Sequence, residues 1–281
     1  MTAVSVIIPT YNRARKLLRA ISSVLYQTFI DYEVIVVDDG SSDGTAACLG
    51  PVMGHIKYLR HPDNRGVSAA RNKGIKASRY PIIAFLDSDD YWLPKKLSTQ
   101  MDFFKRNPEA VACQTEEIWI RKGLRVNPRK RHLKPSGEIF VPSLKLCLVS
   151  PSTVVLKRSL LDEVGLFDED LPACEDYDLW LRISCRYPIH LIPRRLVVKE
   201  GGYPDQLSSN LKGLDLFRIK ALVKLLRGRQ LTDAQLQATL QELTLKCQIY
   251  GSGCLKRGKK EEGAHYLRLP EDLKHALSER P

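Results

Sequence analysis

The sequence of 281 residues lacks several features that define familiar protein classes. Its seven cysteines are odd in number, scattered, and include no Cys-x-x-Cys pair, which argues against a disulfide framework or a zinc site. No apolar run approaches the length needed to span a bilayer, and no basic region precedes the apolar residues near the N-terminus. We therefore expect a cytoplasmic protein with reduced cysteines and without a signal peptide.

Two glycine-rich phosphate-binding patterns are also missing. The first predicted strand is not followed by Gly-x-Gly-x-x-Gly, and the chain has no Gly-x-x-x-x-Gly-Lys-Ser/Thr loop. These absences exclude a dinucleotide-binding fingerprint and a P-loop. A nucleotide site in this chain would hold the base and ribose by hydrogen bonds and leave the diphosphate to a cation.

The charge balance is strongly basic, with a net charge of +12 and an isoelectric point near 9.4. This balance indicates an anionic partner, and nucleic acid, an anionic membrane surface and a nucleotide-linked small molecule all fit it. The basic residues are dense in segments 121–134, 212–229 and 256–260, without regularly interleaved aromatic residues. Because no nucleic-acid recognition motif is present, we expect no nucleic-acid partner.

The first ninety residues alternate short, β-branched strands with amphipathic helices. Apolar residues recur at helical spacing in two segments, and four runs of Val, Ile or Leu lie around them. This order predicts an α/β fold with a mainly parallel, doubly wound sheet. The predicted strands are Val4–Pro9, Glu33–Val37, Ile56–Leu59 and Ile82–Leu86, and the helices are Arg13–Gln27 and Gly66–Ser78.

Polar clusters follow three of these predicted strands. They are Thr10-Tyr11 after the first strand, Asp38-Asp39 after the second, and the acids of Asp87-Ser88-Asp89-Asp90 after the fourth. In doubly wound sheets the ligand lies outside the carboxyl ends of the strands. The sequence therefore predicts one site assembled from three loops.

The acidic stretch from Asp87 to Asp90 admits two interpretations. Carboxylates crowded at the end of a buried strand repel one another unless a cation, hydrogen-bond donors or solvent absorb their charge. An Asp-x-Asp pair at this position is a candidate site for magnesium or manganese, which prefer hard oxygen ligands. The alternative is an exposed acidic turn before a helix, and this stretch alone favours the turn.

A second acidic pair, Glu175-Asp176, opens a predicted helix that continues through Arg182. Acids in a first helical turn usually complement the helix dipole, and the local sequence alone favours that interpretation. The alternative is that Asp176 points into the site as an ionised carboxylate and acts as a base near neutral pH.

Between these motifs we expect a helix over Leu93–Arg106 with Pro94 in its first turn. Two separate strands are predicted at Ile189–Ile192 and Leu196–Lys199. The basic segment Arg121–Gly137 contains two prolines and is predicted to be a mobile loop. Such a loop is either a solvated surface or a contact for the acceptor or a membrane, and the residues do not decide between these.

The chain changes character from residue 211 onward. Apolar residues repeat at helical spacing, and Thr232 with Gln235 resembles a capping box. No catalytic cluster is present in this part. We therefore expect a main domain over residues 1–210 and a C-terminal helical appendage over residues 211–281. The appendage either packs on the sheet or serves in association, and a stabilising cap is the favoured interpretation.

Five stretches together resemble, in order and spacing, the family-2 glycosyltransferases of GT-A fold. Each stretch alone is a weak signal, but the five together are specific and lie within roughly the first two-thirds of the chain. The resemblance implies a Rossmann-like mixed, mainly parallel sheet flanked by helices. The stretches are VSVIIPTYNR (4–13), VDDGSSDGT (37–45), GVSAARNKG (66–74), FLDSDD (85–90) and EDYDLWLR (175–182).

The resemblance also implies a nucleotide-sugar site, commonly for a UDP-sugar. Thr10 and Tyr11 would line the nucleoside pocket. Asp39 would accept a hydrogen bond from the base, and Arg71 would help to hold the nucleotide. Asp87 would lie near the ribose.

The same resemblance implies metal-assisted, inverting sugar transfer. Asp89 would ligate a divalent cation, Mn²⁺ or Mg²⁺, and Asp176 would deprotonate the acceptor hydroxyl, whereas Asp90 would be structural. One departure from the family pattern is Tyr203, near a position where relatives often have histidine. That difference leaves open whether the role of this histidine on the metal or diphosphate is kept.

The implied partners are the nucleotide-sugar donor and a glycan or lipid-linked acceptor, with peripheral contact to an anionic membrane surface as a further expectation. A nonenzymatic protein that binds a nucleotide-sugar or an anionic partner is the alternative. The intact acids from Asp87 to Asp90 and Asp176 argue against it, because a decayed site would be expected to lose one of them.

Overall fold

The computed structural model describes residues 3–202, 213–228 and 230–278. These residues contain a nine-stranded mixed sheet with helices packed against it. The strands are β1 (Val4–Thr10), β2 (Tyr32–Asp38), β3 (Lys57–Arg60), β4 (Ile82–Phe85), β5 (Tyr91–Trp92), β6 (Ala112–Arg121), β7 (Leu124–Val126), β8 (Val154–Lys157) and β9 (His190–Gly201).

The sheet has a parallel half and a mixed half. The strand order is β3-β2-β1-β4-β8-β6-β9-β5, and β7 pairs with β6. β3, β2, β1 and β4 are mutually parallel, as the βαβ pattern predicts. β8 runs antiparallel to both β4 and β6, whereas β9 is parallel to β6.

The helices cover both faces of the sheet and continue into a C-terminal group. One core cluster packs α1 and α4 on one face, and a second packs α6 and α7 on the other. The helices are α1 (Ala14–Leu25), α2 (Thr45–Cys48), α3 (Val67–Ala77), α4 (Lys96–Arg106), α5 (Phe140–Lys145), α6 (Arg158–Val164), α7 (Glu175–Ser184), α8 (Leu214–Arg227), α9 (Asp233–Lys256) and α10 (Lys260–Ser278).

The C-terminal helices pack on α7 and α5 rather than on the sheet. Their apolar residues form a separate core with Tyr177 and Leu181 of α7. The hydroxyl of Tyr177 donates to the carbonyl of Leu144 on α5 over 2.6 Å, which ties these two helices together. The predicted capping box of Thr232 and Gln235 is confirmed at the start of α9. The C-terminal group therefore supports the helix that carries Asp176.

Two predicted elements have different boundaries. The helix predicted over Leu93–Arg106 begins at Lys96, because the Leu93 N–H donates to β9 and the Pro94 carbonyl accepts from Thr28. Two separate strands were predicted at Ile189–Ile192 and Leu196–Lys199, and apart from Ile189 these residues belong to the single strand β9. The pairing register shifts next to Thr115, and this bulge accommodates Pro193 within β9.

The prediction of a structureless loop over Arg121–Gly137 is wrong for its first part. β7 forms a hairpin with the end of β6. The two linking residues, Lys122 and Gly123, both have positive φ, the conformation of a tight hairpin turn. Lys130–His132 then form a single 3₁₀ turn. Closely spaced basic residues and the following proline had masked the hairpin in the sequence.

None of the helices in the described residues is long and apolar enough to cross a membrane.

Candidate active site

The ends of β1, β2 and β4 form the edge at which the site was predicted. The strand register pairs Thr10 with Asp38 and Ile7 with Phe85, so the three strand ends lie side by side. The Asp39 N–H donates to the carbonyl of Thr10 over 2.9 Å and extends this pairing beyond the strands. The prediction that three polar loops meet at one edge is therefore confirmed.

The two residues after β1 differ in their access to this edge. Thr10 is buried, and its hydroxyl oxygen has no hydrogen-bond partner among the described residues. The Tyr11 side chain is 45% exposed. Tyr11 is thus open to a nucleoside and Thr10 is enclosed, while the nucleoside-binding role of both remains a prediction.

Asp39 is held by the loop that leads into α3. Its carboxylate accepts hydrogen bonds from the backbone N–H groups of Arg65 and Gly66, the latter over 2.7 Å. The Nδ1 atom of His61 lies 2.7 Å from Oδ1 of the same carboxylate. These contacts fix the orientation of Asp39, and its predicted hydrogen bond to a base remains a prediction.

Arg71 joins the two acidic motifs of the chain. Its Nη2 donates to Asp87 over 2.8 Å and its Nη1 donates to Glu175 over 2.7 Å. Burial lowers the pKa of this guanidinium, but the two carboxylates outweigh burial and raise it. Arg71 is therefore a charged bridge between β4 and α7, and its predicted contact with the nucleotide remains a prediction.

The three acids after β4 are in different environments. Asp90 is buried and accepts hydrogen bonds from the Ser152 hydroxyl over 2.6 Å and the Glu200 N–H over 3.1 Å. Burial, followed by the charge of neighbouring Asp87, raises the pKa of the Asp89 carboxyl. Asp90 thus has protein partners, as a structural residue requires, whereas Asp89 carries charge repulsion that a cation would relieve.

The described residues offer a divalent cation at Asp89 too few ligands to hold it by themselves. Among the residues that the structure describes, no group of three or more His, Cys, Asp or Glu side chains is arranged to hold a metal ion. Mg²⁺ typically binds one or two carboxylates together with waters and substrate phosphate oxygens. The acids present fit such an ion, bound together with a diphosphate.

Asp176 lies in the first turn of α7, directly after Glu175. Its Oδ1 accepts a hydrogen bond from the Tyr177 N–H over 2.7 Å, and its Oδ2 lies 3.5 Å from the Cys147 sulfur. Glu175 is buried, and burial followed by the charge of Asp176 raises its pKa to about 7. Of this pair, Glu175 is committed to Arg71 and Asp176 is turned toward an open cleft.

The cleft beside Asp176 has a volume of about 440 Å³. Its lining combines apolar side chains, Leu146, Leu148 and Trp119 among them, with charged ones. A hydroxyl group of a substrate could approach Asp176 through this cleft. The lining residues are Glu117, Trp119, Ile120, Arg121, His132, Lys134, Leu146, Cys147, Leu148, Val149, Ser150, Asp176, Lys199, Glu200, Gly201 and Gly202.

Three charged residues in this cleft were missed by sequence reasoning. Glu117 on β6 pairs with Lys134 over 3.2 Å, and Lys199 on β9 donates to the Ser150 hydroxyl over 3.2 Å. Successive side chains of a strand point to opposite faces of the sheet, so Lys199 lies on the same face of β9 as the buried Val197. This position was the one sequence signal that Lys199 points inward. Tyr203, the departure from the family pattern, lies outside the described residues.

The chain has the GT-A fold, as its likeness to two solved structures shows. The crystal structure of S. aureus TarS 1–349 in complex with UDP-GlcNAc superposes on this chain with a TM-score of 0.75 and 21% identity. The superposition covers 98% of this chain and 82% of the TarS chain. The mannosyltransferase PcManGT from Pyrobaculum calidifontis, in complex with GDP-Man and Mn²⁺, superposes with a TM-score of 0.63 and 18% identity. That superposition covers 98% of this chain and 83% of the PcManGT chain. The predicted fold class is confirmed.

The chain belongs to glycosyl transferase family 2, whose sequence profile matches residues 5–165. WfgD of Escherichia coli, a UDP-Glc:alpha-D-GlcNAc-diphosphoundecaprenol beta-1,3-glucosyltransferase, is 36% identical over 181 residues, which are 64% of this chain and 69% of WfgD. An uncharacterized glycosyltransferase of Rickettsia conorii is 35% identical over 228 residues, 79% of this chain. The matched region spans 37% of the length of that Rickettsia protein.

Proposed function

We propose that this protein is an inverting glycosyltransferase that moves a sugar from a UDP-sugar to a hydroxyl group of a glycan or lipid-linked glycan. The observation that carries the proposal is the position of Asp176. Its carboxylate lines the cleft, and the adjacent Glu175 is linked through Arg71 to Asp87 on the predicted donor side. In this proposal, buried Arg71 links the segment that carries the base to the segment that carries the donor site.

In the proposed reaction the acceptor oxygen attacks the anomeric carbon from the face opposite the diphosphate. The hydroxyl proton passes to Asp176, and the bond between the anomeric carbon and the diphosphate breaks with its electron pair on the leaving oxygen. The products are a glycoside of inverted configuration, UDP and a proton. A divalent cation at Asp89 would neutralise the leaving diphosphate, so no second carboxylic acid is required.

The relatives support the proposed substrate classes. WfgD is named for a UDP-Glc donor and a diphosphoundecaprenol-linked acceptor, and TarS was solved with UDP-GlcNAc. We therefore propose a UDP-sugar as the donor and a lipid-linked glycan as the acceptor. Leu146 and Leu148, which line the cleft, support an acceptor with an apolar part.

Peripheral contact with an anionic membrane surface is part of this proposal. The tip of the β6–β7 hairpin exposes 73% of Leu124, and Leu133 nearby in sequence is 62% exposed. Basic residues, Arg121, Lys122 and Arg125 among them, accompany Leu124 in the hairpin. Exposed leucines among cations are typical of a surface that binds anionic lipid interfaces.

The membrane contact can be measured by co-sedimentation with phosphatidylglycerol and phosphatidylcholine vesicles. Leu124→Asp together with Leu133→Asp should weaken binding to the anionic vesicles. Ile30→Asp is a matched control, because Ile30 is 82% exposed and lies between α1 and β2. Equal binding by the wild type and the double variant would rule out this surface.

The division into a main domain over residues 1–210 and an appendage over residues 211–281 remains a proposal. It is supported by the separate core that the C-terminal helices form with α5 and α7. We propose that the appendage stabilises α7, and thereby Asp176, from the side remote from the sheet.

The reaction is tested by measuring UDP release from a panel of UDP-sugars and acceptors, with Mn²⁺ and with a chelator. Asp89→Ala should abolish the Mn²⁺ dependence and most turnover, whereas Asp102→Asn, at an exposed acid on α4, should change neither. Retained turnover in Asp89→Ala would contradict the metal assignment. Binding of UDP-sugars without release under any condition would instead support a nonenzymatic binding protein.

A further inference from the structure

Two lysines in the cleft differ in how their hydrogen-bonding capacity is used. Nζ of Lys134 donates to the carbonyl of Thr115 over 3.1 Å, to Glu117 over 3.2 Å and to the Thr153 hydroxyl over 2.9 Å. An ammonium has three donor hydrogens, so Lys134 is fully satisfied by the protein. It acts as a structural cation that links β6 to the segment before β8.

Among the residues that the structure describes, Lys199 has a single hydrogen-bond partner. Its Nζ donates to the Ser150 hydroxyl over 3.2 Å. Within residues 3–202, 213–228 and 230–278, no carboxylate oxygen forms an ion pair with it inside 4.0 Å. Two donor hydrogens of a half-buried ammonium therefore remain available to a molecule that enters the cleft.

The surroundings of Lys199 keep it charged. Burial alone lowers the pKa of this ammonium, but carboxylates from three directions outweigh burial and raise it. They are Glu117 on β6, Asp90 and Asp87 after β4, and Asp176 on α7. Lys199 is therefore a lasting cation. It interacts electrostatically both with acids on the predicted donor side and with the proposed base, Asp176.

Sugar transfer from a nucleotide-sugar requires positive charge on the leaving diphosphate. Acids surround the reaction site, and each of them repels a diphosphate unless a cation lies between them. Arg71 and Lys134 are already engaged by protein carboxylates. Lys199 lines the cleft and combines a lasting charge with unused donors.

We infer that Lys199 binds the diphosphate of the nucleotide-sugar donor and stabilises the nucleoside diphosphate as it leaves, together with the divalent cation predicted at Asp89. The inference rests on the proposed function and adds a residue that no motif of the family-2 resemblance contains. Lys199 is placed at the leaving group, and Asp176 at the attacking hydroxyl.

The test compares the affinities for UDP and uridine by isothermal titration calorimetry, in the presence of Mn²⁺, for the wild type and for variants at both lysines. Lys199→Met should weaken UDP binding by about 10- to 100-fold, the range of a lost charge-assisted hydrogen bond, and leave uridine binding unchanged. Lys199→Arg should keep most of the preference for UDP, since it keeps the charge.

Lys134→Met is the matched control in the same cleft. It should lower the melting temperature but leave the ratio of UDP to uridine affinity as in the wild type. If Lys199→Met does not fold, the comparison of Lys199→Gln with Lys199→Arg replaces it, since both side chains retain polar hydrogens. A UDP-to-uridine ratio that is unchanged on loss of the Lys199 charge would overturn the inference while leaving the proposed function intact.

A wild type that binds neither UDP nor uridine, and no other nucleoside diphosphate, would overturn the proposed function and this inference with it.

Discussion

The donor-side edge and the cleft differ in how fully their polar groups are satisfied. At the edge, Asp39 accepts from two backbone N–H groups and pairs with His61, and Arg71 is shared between two carboxylates. In the cleft, Asp176 and Lys199 have few protein partners. The charged groups of the edge therefore hold one another in place, whereas Asp176 and Lys199 keep hydrogen-bonding capacity that a substrate could use.

This contrast separates two kinds of mutational effect. Removal of a group that is paired with other protein groups leaves a buried partner without its hydrogen bond or counter-charge, and this lowers the stability of the fold. Removal of an unsatisfied group in the cleft lowers turnover or binding with little effect on stability. The following predictions test that separation, from the largest expected effect to the smallest.

Asp176→Asn should give the largest effect, a fall of about 10²–10⁴-fold in UDP release, because an amide cannot take the acceptor proton at neutral pH. Its melting temperature and its affinity for UDP should match those of the wild type. Steady-state kinetics and calorimetry measure the two quantities. Turnover near the wild-type level would remove Asp176 from the role of base.

Arg71→Met should instead lower the free energy of unfolding of the protein. It leaves the buried Glu175 and the half-buried Asp87 without their shared cation, at a cost of about 3–5 kcal/mol in the free energy of unfolding. Urea denaturation measures the loss. Arg65→Met is the control, because its pair with Glu169 is exposed and should contribute less than about 1 kcal/mol.

If Arg71→Met folded as stably as the wild type while losing nucleotide affinity, Arg71 would belong with the ligand-binding groups and the contrast between edge and cleft would fail.

Glu117 gives a pH-dependent prediction. Burial raises its pKa, but the charges of Lys134 and Lys199 and a hydrogen bond from Trp119 together outweigh burial and lower it to about 2, below the value near 4.3 of an unfolded chain. The unfolded state thus binds the proton more tightly, so the stability from ionised Glu117 is fully present above about pH 4.3 and is lost as the pH falls toward 2. Its size is about 2–4 kcal/mol.

Glu117→Gln should therefore be less stable than the wild type at pH 7, and the difference should shrink as the pH falls from about 4.3 to 2. Denaturant titrations at several pH values measure it, with the neighbouring Glu116→Gln as control. A difference independent of pH would show that the Glu117–Lys134 pair does not stabilise the fold through its charge.

Thr232→Ala tests a position remote from both regions. Loss of the capping box at the start of α9 should cost about 1 kcal/mol, and UDP release at temperatures below unfolding should be unchanged. A fall in turnover without a matching fall in stability would mean that the C-terminal helices contribute to the reaction directly.

The edge could be predicted from sequence because its residues directly follow neighbouring strands. β1, β2 and β4 are parallel, so Thr10, Asp38 and Asp87 meet once the βαβ pattern is recognised. The order of the strands alone gives this result. No side-chain geometry was needed for it.

The cleft could not be predicted in the same way. Glu117 and Lys199 approach each other through the pairing of β6 with β9, which joins segments more than seventy residues apart and contains a register shift. Lys134 reaches them from a segment that the sequence had assigned to a mobile loop. Long-range pairing and a bulge leave no local signal, whereas the family resemblance pointed to Asp176 through its motif alone.

The central claim is that a single base, Asp176, drives direct displacement of UDP. The most direct measurement is the anomeric configuration of the first product, followed by proton NMR from the start of the reaction with an α-linked UDP-sugar. We predict a β-linked product, formed by the wild type and not by Asp176→Asn. An α-linked product would contradict direct displacement by one base.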